Sequence, residues 1–239
     1  MRYLFLTSSP FGEQEATLNE KNRFAERFTR CAKQNHNALM ITSYPADIEF
    51  TERISYDIRH TMELAGIDFE RYTILDDRNK VDAKDLVRES DFIILAGGHV
   101  ATQNAFFTEI GLRDLLVHFA GTVLGISAGS MNSADIVYAQ PEEEGEAADP
   151  GYEKFIRGLN LTKTMLIPHY QEIRDHILDG KKLFEEVTYP DSAGKQFIAI
   201  CDGSYLFSDG VTERICGEAY RIKDGKIELI CEDGAEYML

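Results

Sequence analysis

The stretch Thr122–Asn132, which reads TVLGISAGSMN, decides how the fold is interpreted. Its first half, Thr122–Ile126, is a short apolar run that predicts a buried strand. Ser127 follows at once between Gly125 and Gly129, and the G-x-S-x-G spacing is typical of a serine held on a tight strand-to-helix turn. Small neighbours allow such a strained turn to form. A glycine-containing turn with an incidental serine is the simpler alternative.

The stretch contains a second serine, and the two differ in position. Ser127 stands at the predicted bend, where the amide of the next residue, Ala128, would be placed to donate to an oxyanion. Ser130 falls in the first turn of the following helix, where a serine commonly bonds to the backbone. We therefore predict that Ser127 is a nucleophile and that Ser130 is not.

Short apolar runs alternate with longer amphipathic runs on both sides of this stretch, which predicts a parallel sheet covered by helices. From Gln196 onward, Asp-Gly pairs separate short strands and predict hairpins. We expect one domain, residues 1–239, with an antiparallel extension of the same sheet at its end. Strands are predicted at Tyr3–Thr7, Ala38–Thr42, Tyr72–Leu75, Asp91–Ala96 and Met165–Ile167, and helices at Asn19–Gln34, from Thr51 and at Ala101–His118.

Composition and charge narrow the function classes. The chain has 239 residues and a net charge of −16, which argues against nucleic acid or an anionic membrane as a partner, because both require basic patches. We find no apolar run of transmembrane length. The four cysteines form no C-x-x-C pair and the N-terminal apolar run is too short for a signal peptide, so we expect reduced thiols and a cytoplasmic location. Motifs for a dinucleotide, a P-loop or a metal are absent, and no cofactor is expected.

A serine nucleophile needs an adjacent base, and His169 is the best placed of the six histidines. It follows the predicted strand Met165–Ile167 and Pro168, and sites in open α/β sheets gather at the carboxyl ends of strands. The carboxylate that would orient the imidazole is less defined. The candidates are Glu142, Glu143, Glu144 and Glu146 in the acidic loop, residues Gln140–Gly151, and Asp135 nearer to the serine.

Gly97 and Gly98 follow the apolar run Asp91–Ala96. Glycines at the end of a strand let backbone amides approach a ligand closely and could provide a second oxyanion donor. A turn that merely requires positive φ is the alternative interpretation.

Taken together, LAGGHVATQN, GISAGSMNSAD and LIPHY resemble the peptidase E family of serine peptidases, which comprises aspartyl dipeptidases and the related cyanophycinases. The resemblance spans most of the chain. It implies an α/β three-layer sandwich with a mostly parallel central sheet, similar to the class I glutamine amidotransferase domain, and hydrolysis of a small peptide substrate through an acyl-enzyme.

The resemblance also assigns roles to individual residues. Ser127 and His169 match the family's nucleophile and catalytic histidine, and its acidic member falls at or next to Glu142. Gly98, or the next amide at His99, and Ala128 would form the oxyanion hole. Gln103, which follows the glycine turn, and His99, which replaces a third glycine, would bind substrate. The cation that an Asp-X preference requires matches no family motif here, and Arg174 is the candidate only because it lies near His169 in the sequence.

Two other interpretations stay open. G-x-S-x-G and the order serine, acid, histidine would also suit an α/β-hydrolase esterase. An amidotransferase-like domain that binds a metabolite or a partner without chemistry is the non-enzymatic alternative. The charge of −16 would repel an acidic substrate at long range, so Asp-X specificity would require local cations. The sequence leaves the oligomeric state open, a homodimer included.

Overall fold

A large, mostly parallel sheet lies at the centre of the computed structural model, which describes residues 1–32 and 36–239. Five neighbouring strands run parallel and three strands at one edge run antiparallel. The eight strands, in spatial order, are β16 (Glu236–Met238), β13 (Glu213–Cys216), β12 (Tyr205–Ser208), β1 (Arg2–Thr7), β5 (Gly121–Ile126), β4 (Phe92–Leu95), β2 (Asn37–Ile41) and β3 (Arg71–Leu75).

A second, four-stranded sheet packs beside the first, and two short ribbons complete the strands. The second sheet contains, in order, β8 (Met165–Ile167), β11 (Gln196–Ile200), β14 (Ala219–Lys223) and β15 (Lys226–Cys231), and the ribbons are β6 (Ile136–Tyr138) with β7 (Phe155–Arg157) and β9 (Ile177–Leu178) with β10 (Lys181–Lys182). In the second sheet, β8 and β11 pair in parallel, whereas β11 with β14 and β14 with β15 pair antiparallel.

Helices cover the main sheet. No helix in the described part of the chain combines the length and the apolar character needed to cross a membrane. The helices are α1 (Phe24–Ala32), α2 (Ile48–Leu64), α3 (Ala83–Glu89), α4 (Val100–Glu109), α5 (Leu112–Leu115), α6 (Ala128–Asn132), α7 (Tyr170–Ile173) and α8 (Tyr189–Asp191), with 3-10 turns at Lys21–Arg23 and Lys80–Asp82 and a π turn at Leu183–Thr188.

The mixed α/β architecture agrees with the predicted fold class, but the last strands do not all join the main sheet. Only β12, β13 and β16 extend it, whereas β11, β14 and β15 belong to the second sheet with β8. Asp-Gly turn signals mark where strands end but do not specify which strands pair, and β11 pairs with β8 and β14 instead of with the main sheet.

Helix boundaries also differ from the sequence prediction. The predicted helix Asn19–Gln34 begins as a 3-10 turn and then continues as α1, and its predicted end lies outside the described residues. Thr51 lies inside α2, which is capped earlier by the Asp47 carboxylate accepting from the amide of Phe50. The predicted helix Ala101–His118 divides into α4 and α5 because Gly111 adopts φ of +64°.

Alternating side chains of the central strands build two cores, one on each face of the main sheet. On one face Phe5 and Met40 pack against α1 and α2, and on the other face Leu4 and Leu39 pack against α3, α4 and α5. Ile198 of the second sheet joins this latter core. The sheet and the elements packed on its two faces therefore form the three layers that the sequence predicts. This packing holds the carboxyl ends of the parallel strands in position.

The aromatic packing against α1 provides a test of the core. Phe28 is fully buried, with its ring centroid 5.2 Å from that of Phe5. Phe28→Ala should lower the free energy of unfolding by about 3–5 kcal/mol, because it removes buried area and leaves a cavity. Urea denaturation followed by circular dichroism measures the change. Val81→Ala, at a residue that is 88% exposed, should change it by less than about 0.5 kcal/mol. A cost below 1 kcal/mol for Phe28→Ala would contradict this packing.

Candidate active site

The site begins at the carboxyl ends of three neighbouring parallel strands. Thr7 of β1 lies beside Ile126 of β5, and Leu95 of β4 lies beside Gly125. Each strand therefore ends at the same edge, and the residue that follows β5 is Ser127. Its backbone adopts φ of 48° and ψ of −108° before α6 begins, a strained conformation that costs on the order of 1–3 kcal/mol.

Close packing holds this bend in place. A Cβ atom on Gly129 would lie 2.2 Å from the carbonyl oxygen of Leu95, so only glycine allows α6 to approach β4 this closely. The amide of Ser127 donates to the carbonyl of Thr7 at 3.0 Å, and the Ser130 hydroxyl donates to the same carbonyl at 2.8 Å. Ser130 is fully buried and bonds the backbone, while Ser127 faces the cavity described below.

The second sheet delivers the other two side chains. In the parallel pair of β8 and β11, Ile167 lies beside Ala199. The segments that leave these strands are therefore neighbours, and they carry His169 and Asp202. His169 adopts φ of 58°, and its amide donates to the Ser8 hydroxyl at 2.7 Å.

Ser127, His169 and Asp202 form one hydrogen-bonded chain. The Nε2 atom of His169 lies 3.0 Å from the Ser127 Oγ, and its Nδ1 atom lies 2.8 Å from the Asp202 Oδ1. With the proton on Nδ1, the imidazole donates to the carboxylate and can accept the serine proton at Nε2. The Ser8 hydroxyl donates to the same carboxylate oxygen, so one side chain holds both the acid and the backbone of the histidine.

The structure places Asp202, and not Glu142, against the imidazole. The Glu142 carboxylate instead accepts from the amide of Val100 at 2.7 Å. From the sequence, Asp202-Gly203 predicts only a hairpin turn. The missed indication was its position directly after the buried run FIAIC, the same setting that identified His169.

The other carboxylates considered from the sequence are engaged elsewhere or exposed. Glu146 contacts His99 Nε2 at 2.8 Å and accepts the amides of Glu142 and Glu143. Asp135 pairs with Arg113 and Lys163. Glu143 and Glu144 are exposed.

The glycine turn lies next to the serine, as an oxyanion hole would require. A Cβ atom on Gly97 would lie 3.6 Å from the Ser127 Cβ, and Gly98, at φ of +147°, has no room for a side chain beside Ser43. In the hydrogen-bond network of the described residues, the amides of Gly98 and Ala128 donate to no protein acceptor. The amide of His99 donates to the Tyr44 hydroxyl at 3.1 Å, which leaves Gly98 as the better donor.

Three residues expected to bind substrate have other contacts. Gln103 is fully buried, donates to the carbonyl of Ala96 and accepts from Asn132. The His99 imidazole is buried and accepts from the amide of Thr102 at the start of α4. The Arg174 side chain is 55% exposed and pairs with the adjacent Asp175. These contacts make Gln103 and His99 structural supports, and they give Arg174 no connection to the site.

A cavity opens beside the serine. Ser127, His169 and Glu142 line it, together with His176 and an apolar wall. The apolar wall consists of Met131, Pro141, Pro168, Ile173, Leu178 and Leu183. The cavity therefore offers an apolar surface with a carboxylate close to the reactive groups.

Burial and charge act against each other on the imidazole. Burial lowers the pKa of His169, but the hydrogen bond and the negative charge of Asp202, with smaller effects of Glu172 and Glu142, hold that pKa above its ordinary value. For Asp202, burial raises the pKa, yet the hydrogen bonds from His169 and Ser8 keep it below the ordinary value. The pair therefore favours an ionised carboxylate beside a basic imidazole.

Two groups of side chains in the described residues bring ligand-type atoms within 4.8 Å of one another. They are His99 with Glu143 and Glu146, and His169 with Glu172 and Asp202. The second group belongs to the hydrogen-bonded chain with Ser127, and His99 and Glu146 bond to each other. Neither group has a further feature that points to a metal ion.

The fold and the site together define an α/β protein with a Ser–His–Asp arrangement at the strand ends. The sequence profile of peptidase family S51 matches residues 4–216. The chain therefore belongs to peptidase family S51, and it is a peptidase. No curated protein sequence matches the chain.

Solved structures share the fold at low identity. A peptidase from an acI-B1 Actinobacterium is 17% identical with a TM-score of 0.69, and the match covers 100% of this chain and 97% of that one. A putative peptidase E protein from Listeria monocytogenes EGD-e is 19% identical with a TM-score of 0.62, covering 90% of this chain and 98% of that one. These similarities establish the peptidase E fold.

The contact between His169 and Asp202 predicts a measurable titration. NMR of the imidazole should give a pKa above about 6.5, the ordinary histidine value. Asp202→Asn should lower it, because the substitution removes the adjacent negative charge. Glu144→Gln, at an exposed position outside the network, should leave it unchanged. An equal pKa in wild type and Asp202→Asn would mean that the carboxylate does not contact the ring in solution.

Proposed function

We propose that this protein is a serine-type peptidase that cleaves small peptides, dipeptides in particular, through an acyl-enzyme. The observation that carries the proposal is the continuous contact from Ser127 Oγ to His169 Nε2 and from His169 Nδ1 to Asp202. A serine hydroxyl is a weak nucleophile by itself, and this arrangement supplies the base and its orienting group.

The geometry supports a two-stage reaction. Ser127 attacks the scissile carbonyl while His169 takes its proton at Nε2, and the imidazolium is stabilised by Asp202. The same proton then passes to the leaving amine, and water attacks the acyl-enzyme with His169 again acting as base. The amides of Gly98 and Ala128 would donate to the oxyanion, and each such donor contributes about 3–4 kcal/mol in comparable sites.

The size of the cavity supports a small substrate. The pocket beside Ser127 has a volume of only about 110 Å³, and its lining includes Pro141 and Glu142 of the acidic loop and Ile173, Leu178 and Leu183. A dipeptide presents only one residue on each side of the scissile bond, and this is the substrate class that we propose.

An Asp-X preference, which the family resemblance predicts, stays a prediction with little support in the local charges. Arg174 pairs with Asp175 away from the cavity. Among the described lining residues there is no lysine or arginine, and a carboxylate, Glu142, is present instead. An acidic substrate side chain would need a lysine or arginine, which the described lining does not provide.

The two alternative functions receive less support. Membership of peptidase family S51 replaces the interpretation as an α/β-hydrolase esterase. An amidotransferase-like domain without chemistry would not need a serine, a histidine and an aspartate within hydrogen-bond distance of one another. We therefore favour a working enzyme.

Covalent labelling tests the nucleophile directly. A fluorophosphonate should modify Ser127, as mapped by mass spectrometry of the tryptic peptides, and Ser127→Ala should abolish labelling without unfolding the protein. Asp202→Asn should lower kcat on a cleaved dipeptide by about 10⁴-fold, because the imidazole loses its orientation. A folded wild type that resists the reagent, or modification at another residue, would exclude the proposed role of Ser127.

The raised pKa of His169 predicts the pH dependence of the activity. The base must be neutral to accept the serine proton, so kcat/KM should rise with pH through an apparent pKa above about 6.5. Glu142→Gln should move this limb to lower pH, because it removes one of the negative charges that raise the pKa. Initial rates between pH 5 and pH 9 in buffers of constant ionic strength provide the test. A limb that moves upward, or an activity independent of pH, would contradict the assignment of His169 as base.

A further inference from the structure

The Glu142 carboxylate lines the cavity beside Ser127 but does not take part in the hydrogen-bonded chain of the proposed triad. The same loop position was expected to orient His169, so the role of this side chain is left unexplained. Its contacts indicate a different function.

Glu142 has no lysine or arginine within salt-bridge distance among the described residues. Its Oε1 accepts from the amide of Val100 at the start of α4, where the helix dipole favours an anion. The histidine nearest to it, His99, has its Nε2 atom 3.8 Å away. The carboxylate is therefore held by one backbone amide, with no permanent positive charge of a lysine or arginine beside it.

The hydrogen bonds of His99 direct it to Glu146 and not to Glu142. Its Nδ1 atom lies 2.7 Å from the Thr102 hydroxyl and 3.3 Å from the Thr102 amide. Its Nε2 atom lies 2.8 Å from a carboxylate oxygen of Glu146, a full ångström closer than to Glu142 at 3.8 Å. His99 is therefore engaged with the neighbouring carboxylate, and the Glu142 carboxylate remains open to a further partner.

The environment penalises the charge of Glu142. Desolvation by the surrounding protein, together with the charges of Glu146 and Glu143, raises the pKa of its carboxyl, and the Val100 amide and His99 offset this only in part. The side chain is nevertheless 41% exposed toward the cavity. A cation entering the cavity would relieve this unfavourable charge and gain a charge-assisted contact.

We propose that Glu142 is a specificity-determining residue that binds a protonated amine or a guanidinium on the substrate residue N-terminal to the scissile bond. This inference rests on the proposed serine-peptidase function. The cation can come from two sources, the free α-amino group or a lysine or arginine side chain, and both have the same chemistry toward a carboxylate. The apolar wall of Met131, Ile173 and Leu183 would pack against the aliphatic part of that residue.

The overall charge of the protein acts in the same direction. At −16, the long-range field attracts a cationic peptide and repels an acidic one. This effect alone would be weak at physiological salt, where charges are screened beyond about 8 Å. Glu142 adds the short-range contact that selects the cation inside the cavity.

A set of five dipeptides tests the proposal: Lys-Leu, norleucyl-Leu, N-acetyl-norleucyl-Leu, N-acetyl-Lys-Leu and Asp-Leu. The ratio of kcat/KM for Lys-Leu over norleucyl-Leu isolates the side-chain cation, and the ratio for norleucyl-Leu over its acetylated form isolates the α-amine. In the wild type at least one ratio should reach about tenfold to a hundredfold, as expected for a hydrogen bond to a charged group. Asp-Leu should be the poorest of the substrates with a free α-amine.

Glu142→Gln keeps the shape of the side chain. Whichever of the two kcat/KM ratios is large in the wild type should fall to within threefold of unity in this variant. The kcat/KM of this variant on N-acetyl-norleucyl-Leu, measured at a pH above the His169 limb, is the reference against which its rates on the other peptides are expressed. Glu144→Gln, an exposed neighbour in the same loop, should retain the wild-type ratios. Glu142→Lys should raise the rate on Asp-Leu relative to Lys-Leu.

Three results would overturn the proposal: ratios near unity in the wild type, ratios that persist in Glu142→Gln, or an equal loss on all substrates in Glu142→Gln. If the wild type is labelled at Ser127 by a fluorophosphonate but cleaves none of the five peptides, the same ratios are measured as inactivation rates with diphenyl phosphonate analogues of lysine and norleucine, free and acetylated. Absence of Ser127 labelling would instead refute the proposed function, so the two failures are distinguishable.

Discussion

The parallel pairing of β8 with β11 is the constraint on which the proposed site depends. These strands are separated by 28 residues of chain from Pro168 to Lys195, yet their pairing sets Ile167 beside Ala199 and brings His169 and Asp202 to the same edge. Without that register the imidazole would lack its carboxylate. The main sheet places Ser127 independently, through the pairing of β5 with β1 and β4. The site exists because the two sheets meet at the carboxyl ends of their strands.

Backbone strain accompanies this convergence. Ser127 and His169 both adopt positive φ, at 48° and 58°, which is uncommon for residues with a side chain. Hydrogen bonds to the last residue of β1 and to the residue after it hold them there, since the amide of Ser127 donates to the Thr7 carbonyl and that of His169 donates to the Ser8 hydroxyl. Strain of this kind persists only where the surrounding structure over-determines the conformation. The first strand thus acts as a common support for the nucleophile, the base and the acid.

The acidic loop contributes a wall of the cavity and not a member of the proposed triad. Glu146 is tied to His99 and to two loop amides, and Asp179 accepts the amides of Gly145, Ala147 and Ala148. These bonds fix the loop as one wall of the cavity and set Glu142 beside the reacting groups. The Glu142 carboxylate has one backbone hydrogen bond and no lysine or arginine partner among the described residues, and a cationic substrate would add a charge-assisted contact.

The sequence by itself determined the local features of this protein. Period and composition predicted the α/β class and the central parallel strands, and the G-x-S-x-G spacing placed Ser127 on its bend, because neighbouring residues alone create a tight strand-to-helix turn. His169 was found in the same way, from the strand before it. The sequence did not identify Asp202 as a partner of His169, because an Asp-Gly pair by itself predicts only a turn. The neighbour of the strand before Asp202 depends on contacts between distant segments. Only the tertiary structure could choose Asp202 over Glu142: which carboxylate reaches an imidazole is decided by the register of β8 on β11, a long-range pairing that no short motif encodes.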